Sequence, residues 1–99
     1  MQTFEAHITR ETPVLVDFFA HWCGPCKLMS PILHEVKQQV GERATILTMD
    51  IEKNASYASQ FGIQSVPTVV IFKERHIVWR KSGITPAHEI LNHLALFMA

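Results

Sequence analysis

The hydrophobic residues of this chain fall into runs that predict strands, separated by segments with helical spacing. The run VLVDFFA is almost entirely apolar, which is typical of a strand buried on both faces of a sheet. ATILTMD and TVVIF are predicted as the second and third strands. HIVWRK follows the third after only a few residues, so these two are expected to pair as an antiparallel hairpin.

Between these strands, apolar residues recur at the spacing of helices. They lie at positions 29, 32, 33, 36 and 40, and again at positions 87, 90, 91, 94 and 98. Gly41 is typical of the end of the first helix, and Thr85 with Pro86 is typical of the start of the second, as cap and first turn. Pro31 lies inside the first helix, where it removes one backbone hydrogen bond and is expected to bend the axis.

Two shorter helices follow from capping residues. Residues 4–10 come directly after Thr3, and Asn54 is placed to cap a helix through residues 57–61. The resulting order is helix, strand, helix, strand, helix, strand, strand, helix. It predicts an α/β fold, with a mixed sheet that carries helices on both faces. The length suits a single domain over residues 1–99.

Charge and composition argue against several functional classes. Nine basic residues balance nine acidic ones, so the chain has no net charge. A nucleic-acid binder or a polybasic membrane anchor would need an excess of basic residues. The start, MQTFEAHITRE, has no basic region followed by an apolar run, so no secretory signal is visible. The apolar runs are too short to span a bilayer. The expected location is therefore cytoplasmic, with no membrane and no nucleic-acid partner.

Cys23 and Cys26 are the only cysteines, and their spacing suits a metal site, a structural disulfide or a redox pair. A zinc site usually needs four ligands, and the six histidines show no ligand spacing, so no metal is expected. A permanent disulfide is disfavoured in reducing cytosol. The pair lies where a strand ends and a helix begins, and a helix N terminus stabilises a thiolate. Cys23 is therefore expected to attack disulfides. Cys26, one turn further along and more buried, is expected to resolve the mixed disulfide.

The segment WCGPCK, preceded by VLVDFFAHW, resembles the active site of the thioredoxin family. FGIQSVPTVVIF resembles the segment that carries the family's cis-proline, here Pro67. Pro31 matches the helix-kinking proline, and Gly83 matches the glycine after the last strand. The correspondence runs without a gap from about Val14 to the C terminus. It implies a thioredoxin fold and a protein-disulfide reductase. The redox-active cysteine pair carries the electrons, and no bound cofactor is needed.

The resemblance also implies partners, and roles for residues around the cysteines. Protein disulfides are the expected substrates, and thioredoxin reductase is the expected electron donor. Gly24 and Pro25, between the cysteines, are similar to those of reducing rather than strongly oxidising members, and are interpreted as tuning the redox potential. Substrate docking is assigned to Trp22, Val66, Pro67 and Gly83.

Asp17 is an acid in the middle of an apolar strand, where burial is costly without a functional reason. The resemblance implies that it accepts the proton of Cys26, through water. Many family members place a lysine near this acid, whereas this chain has Thr48. Without that cation, desolvation is expected to raise the pKa of Asp17.

Two further departures from the family concern the strands. Arg75 stands where the last hairpin turn usually has glycine, and no room remains before Phe4 for the family's first strand. Residues 44–49 are therefore expected at the edge of a four-stranded sheet. We expect residues 1–3 or the first helix to cover this edge, which gives a monomer. Weak self-association through the edge is the alternative hypothesis.

Two other functions are compatible with the same motifs. An oxidase or isomerase of secreted proteins would use the same chemistry in the opposite direction. A thioredoxin-fold binding module would hold partners in its groove, with redox chemistry secondary. Insulin reduction separates the alternatives, because little turnover with dithiothreitol indicates the binding module.

Overall fold

The computed structural model describes residues 3–98 of the chain and contains the elements in the predicted order. The helices are α1 (Phe4–Ile8), α2 (Met29–Val40), α3 (Ala55–Gln60) and α4 (Ala87–Ala95), with short 3-10 helices at Pro25–Leu28 and Gly41–Arg43. The strands are β1 (Val14–Phe19), β2 (Thr45–Asp50), β3 (Thr68–Lys73) and β4 (His76–Ser82). Helix α1 is two residues shorter than predicted, and the Thr3 hydroxyl caps it by accepting from the Ala6 N–H at 3.1 Å.

The four strands form one mixed sheet in the order β2-β1-β3-β4. Strands β1 and β2 are parallel, and the β1–β3 and β3–β4 pairs are antiparallel. The predicted mixed four-stranded sheet is therefore confirmed. Since β1 has a neighbour on each side and a core on each face, its residues from Val14 to Phe18 are buried. This double burial explains why its sequence is almost continuously apolar.

Two cores lie on opposite faces of the sheet. Leu15 of β1 packs with residues of α2 and α4, whereas Val16 and Phe18 belong to the core on the other face. Each fully buried side chain of this size stabilises the fold by about 1.5–3 kcal/mol. On the second face the Phe4 ring lies 4.7 Å from the Tyr57 ring, between ring centroids, so α1 packs beside α3. The predicted covering of both sheet faces by helices is thus confirmed.

Strand β2 lies at an edge of the sheet, as predicted. Helix α1 is anchored elsewhere: the Ile8 carbonyl at its C terminus accepts from the Arg75 N–H in the β3–β4 turn, at 2.7 Å. Within residues 3–98 no further strand pairs with the outer side of β2. Helix α1 packs in the core that also contains α3 residues, and the expectation that it covers the β2 edge stays a prediction. Residues 1 and 2, the other expected cover, lie outside the described residues, and self-association stays a prediction.

Pro31 does not interrupt the middle of a helix. The helical run begins as the 3-10 helix Pro25–Leu28 and becomes α-helical at Met29, so Pro31 is the third residue of α2. In the first turn of an α-helix the N–H groups have no required partner within the helix, and the missing N–H of proline is tolerated there. Pro31 thus lies in the first turn of α2 and not in its middle, where the helical run has just changed from 3-10 to α, and the predicted bend of the axis stays a prediction.

Two capping predictions are also corrected. The Asn54 side chain does not cap α3 but donates through Nδ2 to the Asp50 carbonyl at 3.0 Å. At α4 the N-cap position is held by Pro86, and the buried Thr85 hydroxyl donates to the Gly83 carbonyl at 3.1 Å. In both cases a hydrogen bond to a nearby carbonyl competes with the cap, which is a common behaviour of these side chains.

The β3–β4 turn consists of two residues that are both in the left-handed region, Glu74 (φ 50°) and Arg75 (φ 74°). Such a turn normally contains glycine, because a residue with a Cβ pays about 1–2 kcal/mol in this conformation. The turn nevertheless forms, since the Arg75 N–H donates to the Ile8 carbonyl at the end of α1.

We expect Arg75→Gly to stabilise the protein by about 0.5–1 kcal/mol, since glycine relieves the strain but loses more backbone entropy on folding. The melting temperature should rise by about 2–8 °C. Arg75→Ala is the matched control, because alanine removes the guanidinium and keeps the strain. An equal rise in the alanine variant would show that the charge, and not the backbone, is responsible.

Candidate active site

Cys23 and Cys26 form a disulfide at the point where the chain leaves β1 and enters the 3-10 helix. Their Cα atoms lie 5.4 Å apart. Gly24 is the N-cap of this helix and Pro25 its first residue, a position that suits proline. Cys26 lies inside the helix and Cys23 just before it. The strand-to-helix placement predicted for the pair is therefore what the structure shows.

Two main-chain groups contact the sulfur of Cys23. The Cys26 N–H donates to Cys23 Sγ at 3.2 Å, and the Val66 carbonyl oxygen lies 3.7 Å from the same sulfur. A directed N–H group favours the thiolate form once the disulfide is reduced. The local geometry can thus stabilise a negative charge on Cys23.

The two cysteines are buried to a similar extent, with 4% of Cys23 and 7% of Cys26 exposed. The expectation that Cys26 is clearly more buried is wrong for this oxidised form. Cys23 packs against the loop that carries Val66, whereas Cys26 lines two cavities, one of them beside Asp17. These cavities leave part of Cys26 accessible. Its sequence position, one helical turn after Cys23, had predicted deeper burial.

Asp17 lies in the middle of β1, with Thr48 of β2 opposite it in register. Only 4% of the residue is exposed, and no group of the described chain donates to its Oδ1. Burial raises the pKa of Asp17 from its ordinary value of 3.8 to about 7, in the direction expected from the sequence. Asp17 and Cys26 line the same cavity, of about 470 Å³, so the structure brings these two predicted site residues to one space.

The residues assigned to substrate docking are connected through the loop before β3. The Val66–Pro67 peptide bond is cis, as the resemblance implies, and Val66 contacts Cys23. The Gly83 N–H donates to the Pro67 carbonyl at 2.8 Å, which holds the end of β4 against this loop. Trp22, directly before Cys23, is 68% exposed.

Ile84, which is 46% exposed next to Gly83, was not predicted as a site residue. The sequence feature that could have indicated it is a single isoleucine in the loop between a strand and a helix. Exposure of a large apolar side chain beside the residues predicted to dock substrates makes Ile84 a further candidate for contact with a partner.

A second missed feature is the pairing of His21 with Asp50. Nε2 of His21 lies 3.2 Å from Oδ2 of Asp50, and the Phe19 ring packs edge-on against the imidazole at 5.4 Å. The other carboxyl oxygen of Asp50 accepts from the Glu52 N–H at 2.8 Å. The pairing follows from the sheet topology. Because β1 and β2 are parallel, the residues at their C-terminal ends lie close together at one edge of the sheet.

Neither a metal centre nor a membrane span is seen in the described part of the chain. Across residues 3–98, no three or more histidine, cysteine, aspartate or glutamate side chains are grouped to hold a metal ion. No helix in the same range is long and apolar enough to cross a membrane. The redox-active cysteine pair is the chemical centre that the site offers.

Comparison with known proteins identifies the family. The family model described as Thioredoxin matches residues 1–95. A thioredoxin-like protein of Synechocystis is 41% identical over 86 residues, which cover 87% of this chain and 82% of the relative. The thioredoxin of Alicyclobacillus acidocaldarius is 38% identical over 92 residues, which cover 93% of this chain and 88% of the relative.

Solved structures agree with the sequence matches. The crystal structure of a chloroplastic thioredoxin z superimposes with a TM-score of 0.81 at 32% sequence identity, and the match covers 93% of this chain and 83% of that one. With a mixed sheet between helices and a paired Cys23 and Cys26, the chain belongs to the thioredoxin family and is a thiol–disulfide oxidoreductase that reduces protein disulfides.

Proposed function

We propose that Cys23 is the attacking thiol of this reductase and Cys26 the resolving thiol. The observation that supports this assignment is the hydrogen bond from the Cys26 N–H to Cys23 Sγ. The thiol with the lower pKa is the one that is ionised and attacks at neutral pH.

The reaction consists of two exchanges at sulfur. The Cys23 thiolate attacks one sulfur of a substrate disulfide, forms a mixed disulfide with it and expels the other substrate sulfur as a thiolate. The Cys26 thiolate then attacks the Cys23 sulfur, closes the Cys23–Cys26 disulfide and expels the second substrate thiolate. Two electrons pass from the protein dithiol to the substrate, and the oxidised protein seen in the structure is the product.

Asp17 accepts the proton that Cys26 must lose before it attacks. The shared cavity supports this role, because it joins the buried carboxyl to the resolving cysteine and has room for a bridging water. A pKa of about 7 suits a group that must take up and release a proton near neutrality. Asp17 therefore acts in the second exchange and has no direct part in the first.

Substrates dock on the surface formed by Trp22, Val66, Pro67 and Gly83, with Ile84 beside it. The exposed tryptophan supplies a large apolar contact, and the Val66 main chain lies next to the attacking sulfur. Gly24 and Pro25 tune the redox potential from their position between the two cysteines, at the start of the helix.

The chain acts as one domain and as a monomer in the cytoplasm. Each turnover leaves the disulfide, so an electron donor must return two electrons, and thioredoxin reductase fills this role. No cofactor has to be bound, because the cysteines themselves carry the electrons between the donor and the substrate.

Insulin reduction tests the reductase assignment. With dithiothreitol as the electron source, the protein should accelerate the precipitation of reduced insulin chains well above dithiothreitol alone. The protein with both cysteines replaced by serine is the control and should give no acceleration. A wild-type rate equal to this control would favour a binding module. Slow insulin reduction combined with fast oxidation of reduced, unfolded substrates would favour an oxidase or isomerase.

A further inference from the structure

The cavity beside Asp17 has the size and walls of a small-molecule site. It lies between the sheet and α2: Asp17 comes from β1, Ile46 and Thr48 from β2, and Leu33 from α2. Side chains two residues apart in a strand share a face, so Ile46 and Thr48 both face α2. The volume of about 470 Å³ falls within the range of roughly 300–1,000 Å³ that ligand pockets occupy.

The buried carboxyl at the cavity wall has an oxygen that lacks a protein partner. Asp17 is 96% buried, it lines the cavity, and no described group donates to its Oδ1. A buried carboxyl without a donor is unfavourable, and a charged one without a cation more so. A ligand that brings a donor and a positive charge to the Asp17 carboxyl at the cavity wall would therefore gain more here than one that brings only apolar surface.

The basic side chains that line the cavity, His34 and Lys37, do not pair with Asp17. Lys37 Nζ on α2 donates to the Gly41 carbonyl at 2.7 Å, and His34 Nε2 lies 3.2 Å from Gln38 Nε2. The β2 residues that line the cavity, Ile46 and Thr48, carry no charge. Among residues 3–98, Asp17 forms no ion pair.

We propose that this cavity binds small primary amines, with the ammonium group donating to Asp17 and the apolar body lying between Leu33 and Ile46. Burial of the apolar body adds to the affinity, and a ligand of this size is expected to bind in the millimolar range. The bound amine would lie beside Cys26 and slow the second exchange. This last consequence rests on the proposed function, whereas the binding itself does not.

Titration of the oxidised protein with benzylamine, followed by amide NMR shifts, tests the site without any turnover. We expect saturable shifts centred on Asp17, Leu33 and residues 46–48. Asp17→Asn should weaken binding at least tenfold, whereas Glu35→Gln, at an exposed acid of α2 outside the cavity, should leave it unchanged. Benzyl alcohol, which has the same shape without the charge, should bind more weakly than benzylamine.

The pH dependence gives a second readout. The ammonium stays charged up to pH 8, so the affinity should follow the ionisation of Asp17. Between pH 6 and pH 8 it should rise by up to about tenfold in the wild-type protein and stay flat in Asp17→Asn. His34, Lys37 and the disulfide-bonded Cys26 also line the cavity, and Asp17→Asn leaves all three in place.

Three results would overturn the proposal. The first is the absence of saturable shifts, which would show that the cavity holds water only. The second is equal binding to wild type and Asp17→Asn, and the third is an equal loss in Glu35→Gln. Because the oxidised protein performs no exchange in this experiment, failure of the site would leave the reductase assignment untouched, and the insulin assay tests that assignment separately.

Discussion

Cys23→Ser is expected to abolish insulin reduction, while Cys26→Ser should still attack a substrate but stop as a mixed disulfide. The first variant has no nucleophile at the position where the Cys26 N–H stabilises a thiolate. The second retains that sulfur and lacks only the thiol that resolves the adduct. Incubation of each reduced variant with a disulfide-bonded peptide, followed by mass spectrometry, should find the covalent adduct with Cys26→Ser and none with Cys23→Ser.

The same trap can identify natural substrates, because partners stay attached to Cys23 in the Cys26→Ser variant. Alkylation of the reduced wild-type protein provides an independent control. Iodoacetamide should modify Cys23 before Cys26, since the thiolate is the reactive form. Faster labelling of Cys26 would reverse the assignment, even though both variants would then still have low turnover.

The strands were the most predictable part of the fold. Neighbouring strands cover the edges of β1 and helices cover its two faces. Its side chains are therefore apolar on both faces, and this composition predicts a buried strand. The cysteine pair was equally predictable, because its position after β1 and before a helix is a local feature of the sequence. Asp17 was predicted as a site residue because it is the single acid in an otherwise apolar strand.

The parts that sequence patterns missed depend on contacts between distant segments. Asn54 is a good capping residue, but the Asp50 carbonyl lies within reach of its amide. The His21–Asp50 pair forms only when β1 and β2 align in parallel. The cavity beside Asp17 has a similar origin, since it needs Thr48 opposite Asp17 and α2 packed above both. No local pattern specifies such placements.

Asp17→Asn is expected to stabilise the protein, and the gain should depend on pH. An acid whose pKa is raised in the folded state destabilises that state as pH rises from the unfolded value, 3.8, to the folded value, about 7. The difference between these two pKa values corresponds to a destabilisation of the folded state by at most about 4 kcal/mol above pH 7. The asparagine amide is also buried without a partner, so we expect a net gain of about 2–3 kcal/mol at pH 8 and little gain at pH 4.

Urea unfolding at the two pH values measures this gain, and at pH 8 the melting temperature should rise by about 10–20 °C. Asp50→Asn is the matched control, because Asp50 is also a buried acid but accepts from the Glu52 N–H and pairs with His21. Its replacement should destabilise the protein by about 1 kcal/mol. Stabilisation of both variants would mean that removal of any buried charge suffices, and that the missing partner of Asp17 is not the cause.

The same Asp17→Asn variant should slow the second exchange more than the first. Asparagine cannot accept a proton, so Cys26 would have to lose its proton to solvent through the cavity, while Cys23 keeps the N–H that favours its thiolate. Stopped-flow measurement of adduct formation and decay separates the two steps. We expect decay to slow at least tenfold near pH 7, with formation changed by less than about twofold. Unchanged decay in a variant with a lower melting temperature would contradict both roles assigned to this carboxyl, its part in resolving the adduct and its cost to the fold.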